Sequence, residues 1–264
     1  MVMNYEDLRG PKHEGWFAQD EPIFHGKIKV ITYNINEGRE VDQAIEELNG
    51  FEVLQDPDIL LLQEMDEDGT QRVARALRHN YVYYPASIFP RTKRNFGNAI
   101  LSKWPLSDPA KILLPYRGLN NKQLRIAVRA TVAVGPLEIL TYSAHTETYT
   151  VPIKHRKAQI AAVVDDIGSG DGYVVAGGDF NTVSNRSIKR MVGLFAEIGL
   201  LRASKGAGPT VSIFGLQPSA ADHIFARGLT VLSKGKVDRI KASDHFPVWV
   251  ELGVPDKPRS RRNG

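Results

Sequence analysis

Apolar runs of strand length recur from Ile28 to Leu252, and stretches with helical spacing separate several of them. Nothing else in the sequence limits the fold as much. A chain that alternates the two periods has to layer helices against sheets. The strand-like runs are Ile28–Asn34, Ile59–Gln63, Tyr81–Tyr84, Ala99–Leu101, Lys111–Leu114, Leu124–Val134, Leu137–His145, Tyr173–Gly177, His223–Phe225, Leu229–Leu232 and Phe246–Leu252. Helical spacing appears at Val41, Ala44, Ile45 and Leu48, at Val73, Ala76 and Leu77, at Ile153, Ile160, Val163, Val164 and Ile167, and at Met191, Leu194, Phe195 and Ile198. Gly135-Pro136 between two runs predicts a hairpin. Hairpins mixed with crossover helices predict two packed sheets flanked by helices in one domain.

The ends differ from this body. Residues 1–26 are polar and broken by Gly10-Pro11, Gly15 and Pro22, so they read as an N-terminal extension. Its Trp16, Phe17 and Phe24 imply that it packs against the domain expected over 27–254. Residues 255–264, with Arg259, Arg261 and Arg262, read as a basic tail. The chain of 264 residues is long enough to bury a core without staples. It has no cysteine, which excludes disulfide scaffolds, Cys-based zinc sites and thiol catalysis. A bound metal must then be held by oxygen or imidazole, and oxygen favours hard ions. No apolar run approaches the ~20 residues that span a bilayer, and the start lacks a basic region followed by an apolar stretch. A cytoplasmic monomer without a membrane span is the expectation. The net charge of +4 gives mild attraction to phosphate-bearing partners.

Polar residues cluster where the apolar runs end. Asn34 follows Val30-Ile31-Thr32-Tyr33, Glu64 follows Leu60-Leu61-Leu62-Gln63, and His145 closes Ile139–Ala144. Asp179 and Asn181 follow Val174–Gly178, Asp222 precedes His223-Ile224-Phe225, and Asp244-His245 precedes Phe246-Pro247-Val248. An unpaired carboxylate inside a buried strand is costly, so such residues belong at strand ends, where sites form. Taken singly, each reads as a solvated loop, a turn or a cap. Converged at one sheet edge, they supply oxygen ligands, a base and phosphate donors, the equipment for metal-assisted hydrolysis.

The segments Tyr33-Asn34-Ile35-Asn36, Leu62-Gln63-Glu64, Gly97–Ser102, Ser143-Ala144-His145, Gly178-Asp179-Phe180-Asn181, Asp222–Phe225 and Ser243–Val248 occur in that order over about residues 27–252. Together the sequence resembles the endonuclease/exonuclease/phosphatase superfamily, which includes deoxyribonuclease I, apurinic endonucleases, neutral sphingomyelinases and inositol polyphosphate 5-phosphatases. The resemblance implies an α+β fold, a four-layer αββα sandwich of two packed mixed sheets flanked by helices. It also implies one or two Mg²⁺ or Mn²⁺ ions and phosphoester hydrolysis. By resemblance Glu64 is the principal metal ligand, Asp244 a second or shared ligand, and Asn34 places the metal or the phosphate. Asp179 orients or deprotonates the water, and Asn181 donates to a phosphate oxygen. His245, held by Asp222, stabilises charge on the scissile phosphate. His145 matches the second histidine of the deoxyribonuclease I and sphingomyelinase branches, placed as an acid near the leaving group. Asn98 aligns with a segment that some branches use on phosphate, with strand packing as the alternative.

Three substrate readings follow. A nuclease is favoured by the basic clusters Arg91–Arg94, Lys154–Lys157 and Arg186–Arg190. A phosphodiesterase or phosphatase on a phospholipid head group or small phosphate ester is favoured by His145, by Gly177-Gly178 and by the aromatic stretch Tyr81–Pro85. A non-catalytic binding domain on the same fold requires a missing metal or base residue, and none is missing. Glu37 reads as solvated, and Arg156 and Gln159 as structural.

Overall fold

Two constraints, period two within strands and parallel pairs that need crossovers, account for the architecture. In chain order the elements are β1 (His13–Gly15), β2 (Lys27–Asn34), α1 (Val41–Gly50), β3 (Ile59–Met65), α2 (Glu67–Leu77), β4 (Asn80–Ile88), β5 (Asn95–Ser102), β6 (Leu106–Leu113) and β7 (Ile126–Val134). They continue as β8 (Leu137–His145), α3 (Ile153–Ile167), β9 (Tyr173–Asp179), α4 (Asn185–Glu197), β10 (Leu201–Arg202), β11 (Asp222–Arg227), β12 (Thr230–Lys236) and β13 (Val248–Gly253). The structure, a computed structural model, describes residues 2–19, 22–119, 122–148, 151–182, 184–212 and 219–255. The expected tail therefore lies outside the described residues apart from Pro255.

Seven strands form one sheet in the order β1-β4-β5-β3-β2-β13-β12, and six form the other as β10-β11-β9-β8-β7-β6. Each sheet has one parallel pair, β2 with β3 and β8 with β9, and every other pair is antiparallel. Parallel neighbours cannot be joined by a tight turn. Here α1 makes the first crossover and α3 the second. Alternate side chains of each strand then face opposite layers. Val30, Leu61, Val128, Ile139 and Val175 pack between the sheets. Ile31, Leu60 and Leu62 meet α1 and α2 through Leu48 and Val73. Ala144, Val174 and Ala176 meet α3 and α4 through Val163 and Phe195. This is the expected four-layer αββα sandwich.

Several local expectations change. Glu64 lies inside β3, not after it, at φ +60°, where the pairing with β5 shifts register between Leu62 and Met65. That bulge re-aims the carboxylate. The N-terminal segment packs on a sheet edge: His13–Gly15 pair with β4, Phe17 stacks on Tyr81 with centroids 6.1 Å apart, and Phe24 meets Trp104 edge-on at 6.4 Å. Tyr81, Tyr83 and Tyr84 are buried residues of β4, in keeping with the strand expected at Tyr81–Tyr84.

Candidate active site

The parallel pairs put Asn34, Glu64, His145 and Asp179 at one rim, because parallel strands end on the same side. Within the second sheet His145 is the register partner of Asp179, and Asp179 is the partner of Asp222. Three polar side chains thus occupy one row across β8, β9 and β11. Gly178 makes the close strand approach possible. A Cβ there would lie 1.8 Å from the Ala144 carbonyl oxygen, and its φ of +147° disfavours any other residue. A structural need thus accounts for this glycine, independently of substrate.

Asp179 is buried and anchored at both oxygens. The Asn181 amide donates to Oδ1 at 2.8 Å and Asn34 Nδ2 donates to Oδ2 at 3.1 Å. Burial, reinforced by Asp222 and Glu64 and opposed by His245, pushes its pKa up to about 7. His245 Nδ1 lies 2.9 Å from Asp222 Oδ2, and its Nε2 lies 3.8 Å from Asp179 Oδ2. Burial alone would lower the imidazole, but the Asp222, Asp179 and Asp244 carboxylates outweigh it and hold the imidazolium well above its ordinary range. The Thr210 hydroxyl donates to the same Asp222 oxygen at 2.6 Å and so fixes the dyad.

Glu64 faces this row from the other sheet, with Oε1 3.8 Å from His145 Nε2 and Oε2 accepting the Glu37 amide at 3.1 Å. Burial raises its pKa, against the pull of Arg125 and His245. His145 is fully enclosed. Burial, then Arg125 and His245, push it well below the ordinary histidine range, so the imidazole is neutral. Its Nε2 lies 3.4 Å from Asp179 Oδ2. Asp244 is exposed and, with Asn36 and Ser243, lines a cleft of about 530 Å³ beside the dyad. Asn181 donates its side-chain amide to the Thr146 carbonyl at 3.0 Å, and its own carbonyl accepts Arg156 Nη1 at 2.8 Å.

Asp179, Asp222 and His245 bring potential ligand atoms within 4.8 Å of one another. Asp222 Oδ2 is already shared by His245 and Thr210, however, so the pair is a hydrogen-bonded dyad. Glu64 also feels the Asn34 side chain and the Asp244 charge, so these oxygen-bearing side chains lie near one another. The Glu64 charge raises the pKa of Asp179 and the Asp244 charge that of Glu64, and a divalent cation relieves such repulsion.

Asn98 is a correction to the phosphate-contact expectation. Its Nδ2 donates to the Ile126 carbonyl at 3.0 Å and the Ser143 carbonyl at 3.2 Å, which engages both N–H groups between the sheets. Glu37 is not free in solvent: its carboxylate pairs with Arg39 and Arg91. The sequence reading missed Arg125. This buried guanidinium lies 3.2 Å from both His145 nitrogens and 3.2 Å from Glu147 Oε1, with Phe96 beneath it. The signal available was a lone arginine in the apolar stretch Leu124-Arg125-Ile126. Thr210 had no sequence signal, because it reaches Asp222 from an irregular segment. Gln159 also serves the rim: its Oε1 accepts the Glu147 amide at 2.7 Å.

The model of the endonuclease/exonuclease/phosphatase family matches residues 31–245. A UPF0294 protein of Vibrio parahaemolyticus is 28% identical over 261 residues, 95% of this chain and 85% of that one. Among solved structures, an endonuclease/exonuclease/phosphatase from Beutenbergia cavernae superposes with a TM-score of 0.70 at 21% identity, over 89% of this chain and 74% of that one. The human nocturnin catalytic domain with bound sulfate superposes at 0.68 and 19% identity, over 87% and 95%. With its layered fold, its strand-end acids and this match over most of its length, the chain belongs to the endonuclease/exonuclease/phosphatase family.

Proposed function

We propose that the protein hydrolyses phosphodiesters with the help of a divalent cation, in the manner of a nuclease. The observation that carries this reading is the facing of Asp179 by the Asp222–His245 dyad at 3.8 Å, with Glu64 opposite on the other sheet. Glu64, with Asn34 and Asp244, would hold Mg²⁺ or Mn²⁺. Bound there, the cation supplies positive charge to phosphoryl oxygens as the phosphorus centre gains negative charge. Asp179, with a pKa near neutrality, is poised to take a proton from the attacking water. His245 Nε2–H donates to a phosphate oxygen, and the imidazolium charge offsets what develops there. Asn181 lies next to Asp179 and orients a second phosphate oxygen. His145, neutral and set beside Arg125, would serve the leaving-group side, where Arg125 adds fixed charge.

A phospholipid head group is the second reading, favoured by the exposed apolar side chains of Tyr116, Leu119 and Ile153. Tyr116 stacks on His155 at 3.8 Å, near the Gln159 that supports the rim. The test is Mg²⁺-dependent turnover of bis(p-nitrophenyl) phosphate, plasmid DNA and sphingomyelin by wild type and Glu64→Ala. Wild type should cleave the first two, and Glu64→Ala should lose about 10²–10³-fold in rate. Sphingomyelin turnover without DNA cleavage would replace the nuclease reading by the lipid one. Absence of any metal-dependent turnover would overturn both.

A further inference from the structure

Of the three basic clusters in the sequence, two are tied up in part. Arg91 pairs with Glu37, Arg94 with Asp66, and Arg156 holds the Asn181 carbonyl. The third is not: Arg186, Lys189 and Arg190 on α4 have no ion-pair partner among the described residues, and neither do Arg202 and Lys205. Between α4 and β10 lies a cleft of about 320 Å³. Ser184, Asn185 and Ile188 line one side, and Arg202, Gly206 and Gly208 line the other. Among the described residues its lining contains no carboxylate.

The floor of this cleft has unused hydrogen-bonding capacity. Arg202 Nε is buried and without a partner. Next to it on the same face of the sheet, fully buried His223 donates its Nε2–H to Thr182 Oγ1 at 2.8 Å, because that hydroxyl gives its own hydrogen to the Ala220 carbonyl. The Arg202 charge reaches this ring. Leaving buried donors unpaired is costly. A guanidinium set beside helix amides with no carboxylate among the described lining residues fits an oxyanion. The cleft is also close to the active site. Asp179 and Ser184 are five residues apart, at most about 18 Å of extended chain, and Asp222 and His223 are adjacent in β11 on opposite faces.

We propose that the Arg202 cleft is a second, non-catalytic oxyanion subsite, which holds a phosphate of a nucleic-acid strand away from the scissile bond. The nucleic-acid identity rests on the nuclease reading above, whereas the cleft's affinity for phosphate groups does not. A strand that carries a phosphate at every nucleotide can occupy both places at once. A substrate with a single phosphate cannot.

The test is binding of fluorescein-labelled dT12 to the Glu64→Ala protein, measured by anisotropy across a salt series, with and without Arg202→Gln. Arg202→Gln should weaken binding about tenfold and reduce the slope of log K against log salt by about 0.7, the loss of one phosphate contact to a single strand. Arg202→Lys should restore the slope, which a purely structural role would not do. Asn185→Glu, a change at an exposed helix position, should weaken binding by a similar factor even if Arg202→Gln fails to fold. Equal affinity and slope in all variants would overturn the proposal. So would Arg202-dependent binding to phosphatidylserine vesicles with none to dT12. Turnover of bis(p-nitrophenyl) phosphate by the protein with Glu64 intact, with and without Arg202→Gln, separates the two readings. Turnover with binding independent of Arg202 rejects the subsite alone, whereas Arg202-dependent binding without turnover rejects the hydrolase alone and supports the subsite.

Discussion

At the scale of single residues, the proposed hydrolysis rests on two ionisable groups set against their ordinary preferences. His245 is held charged by Asp222, so Asp222→Asn should lower its pKa and draw the alkaline limb of the kcat profile to lower pH. A rate loss of about 10²–10⁴-fold should accompany this shift, the range for a disabled acid–base group. Asp179 gives a stability signature in the metal-free protein. Its folded pKa of about 7 lies above an unfolded value near 3.9, so the folded state binds more protons between them. The contribution is full below about pH 3.9 and is lost as pH rises through 7. The melting temperature of Asp179→Asn relative to wild type should therefore rise from pH 5 to pH 8, as differential scanning fluorimetry in EDTA would show. A difference independent of pH would mean that Asp179 is ionised throughout.

At the scale of elements, strand ends were the legible feature, because an apolar run cannot continue through a charge without a partner. The bounds of Leu137–His145 agree with β8 for that reason. The bulge at Glu64 was not legible: it is a mismatch of register between β3 and β5, fixed by the partner strand. The alternation that marks a half-exposed strand is absent from β4, which is buried on both faces. The role of Asn98 was ambiguous for a related reason, since a carboxamide serves a phosphate or a carbonyl equally well and only the opposite sheet decides. β1 was also hidden, as three residues carry no period. What ties its segment down is Lys111, whose buried ammonium donates to the Tyr5 carbonyl at 3.0 Å and the Gly10 carbonyl at 2.9 Å. Lys111→Met keeps most of the stem but leaves both carbonyls unmet, a cost of about 1–3 kcal/mol each at most. Limited trypsin digestion should then cut at Arg9 and Lys12 faster than in wild type. Unchanged cleavage kinetics would mean that the edge pairing of β1 suffices.

At the scale of the whole molecule, the proposed function depends on how two sheets are clamped, since Glu64 belongs to one and His145, Asp179 and Asp222 to the other. An apolar sandwich alone tolerates sliding, because dispersion contacts are not directional. Just below the rim the interface changes character. Gln63 Nε2 donates to Ser143 Oγ at 3.0 Å, and Ser143 Oγ donates to the Leu62 carbonyl at 3.0 Å. Asn98 donates from β5 to two strands of the opposite sheet, at Ile126 and Ser143. Hydrogen bonds of this kind have a length and an angle, so they fix the offset of one sheet against the other. Asn98→Ala should cost about 2–4 kcal/mol, from two lost bonds and two carbonyls left unmet in a buried place. For a domain of this size that is a fall in melting temperature of about 4–16 °C. The folded remainder should show a lower kcat with little change in KM, because the substrate still meets the same rim while Glu64 and Asp179 are no longer held at one separation. Asn98→Asp makes the complementary case: it keeps the volume but removes both donors, and should lower kcat at least as far. A variant that loses stability yet retains full kcat would show that the sheets keep their offset by apolar packing alone.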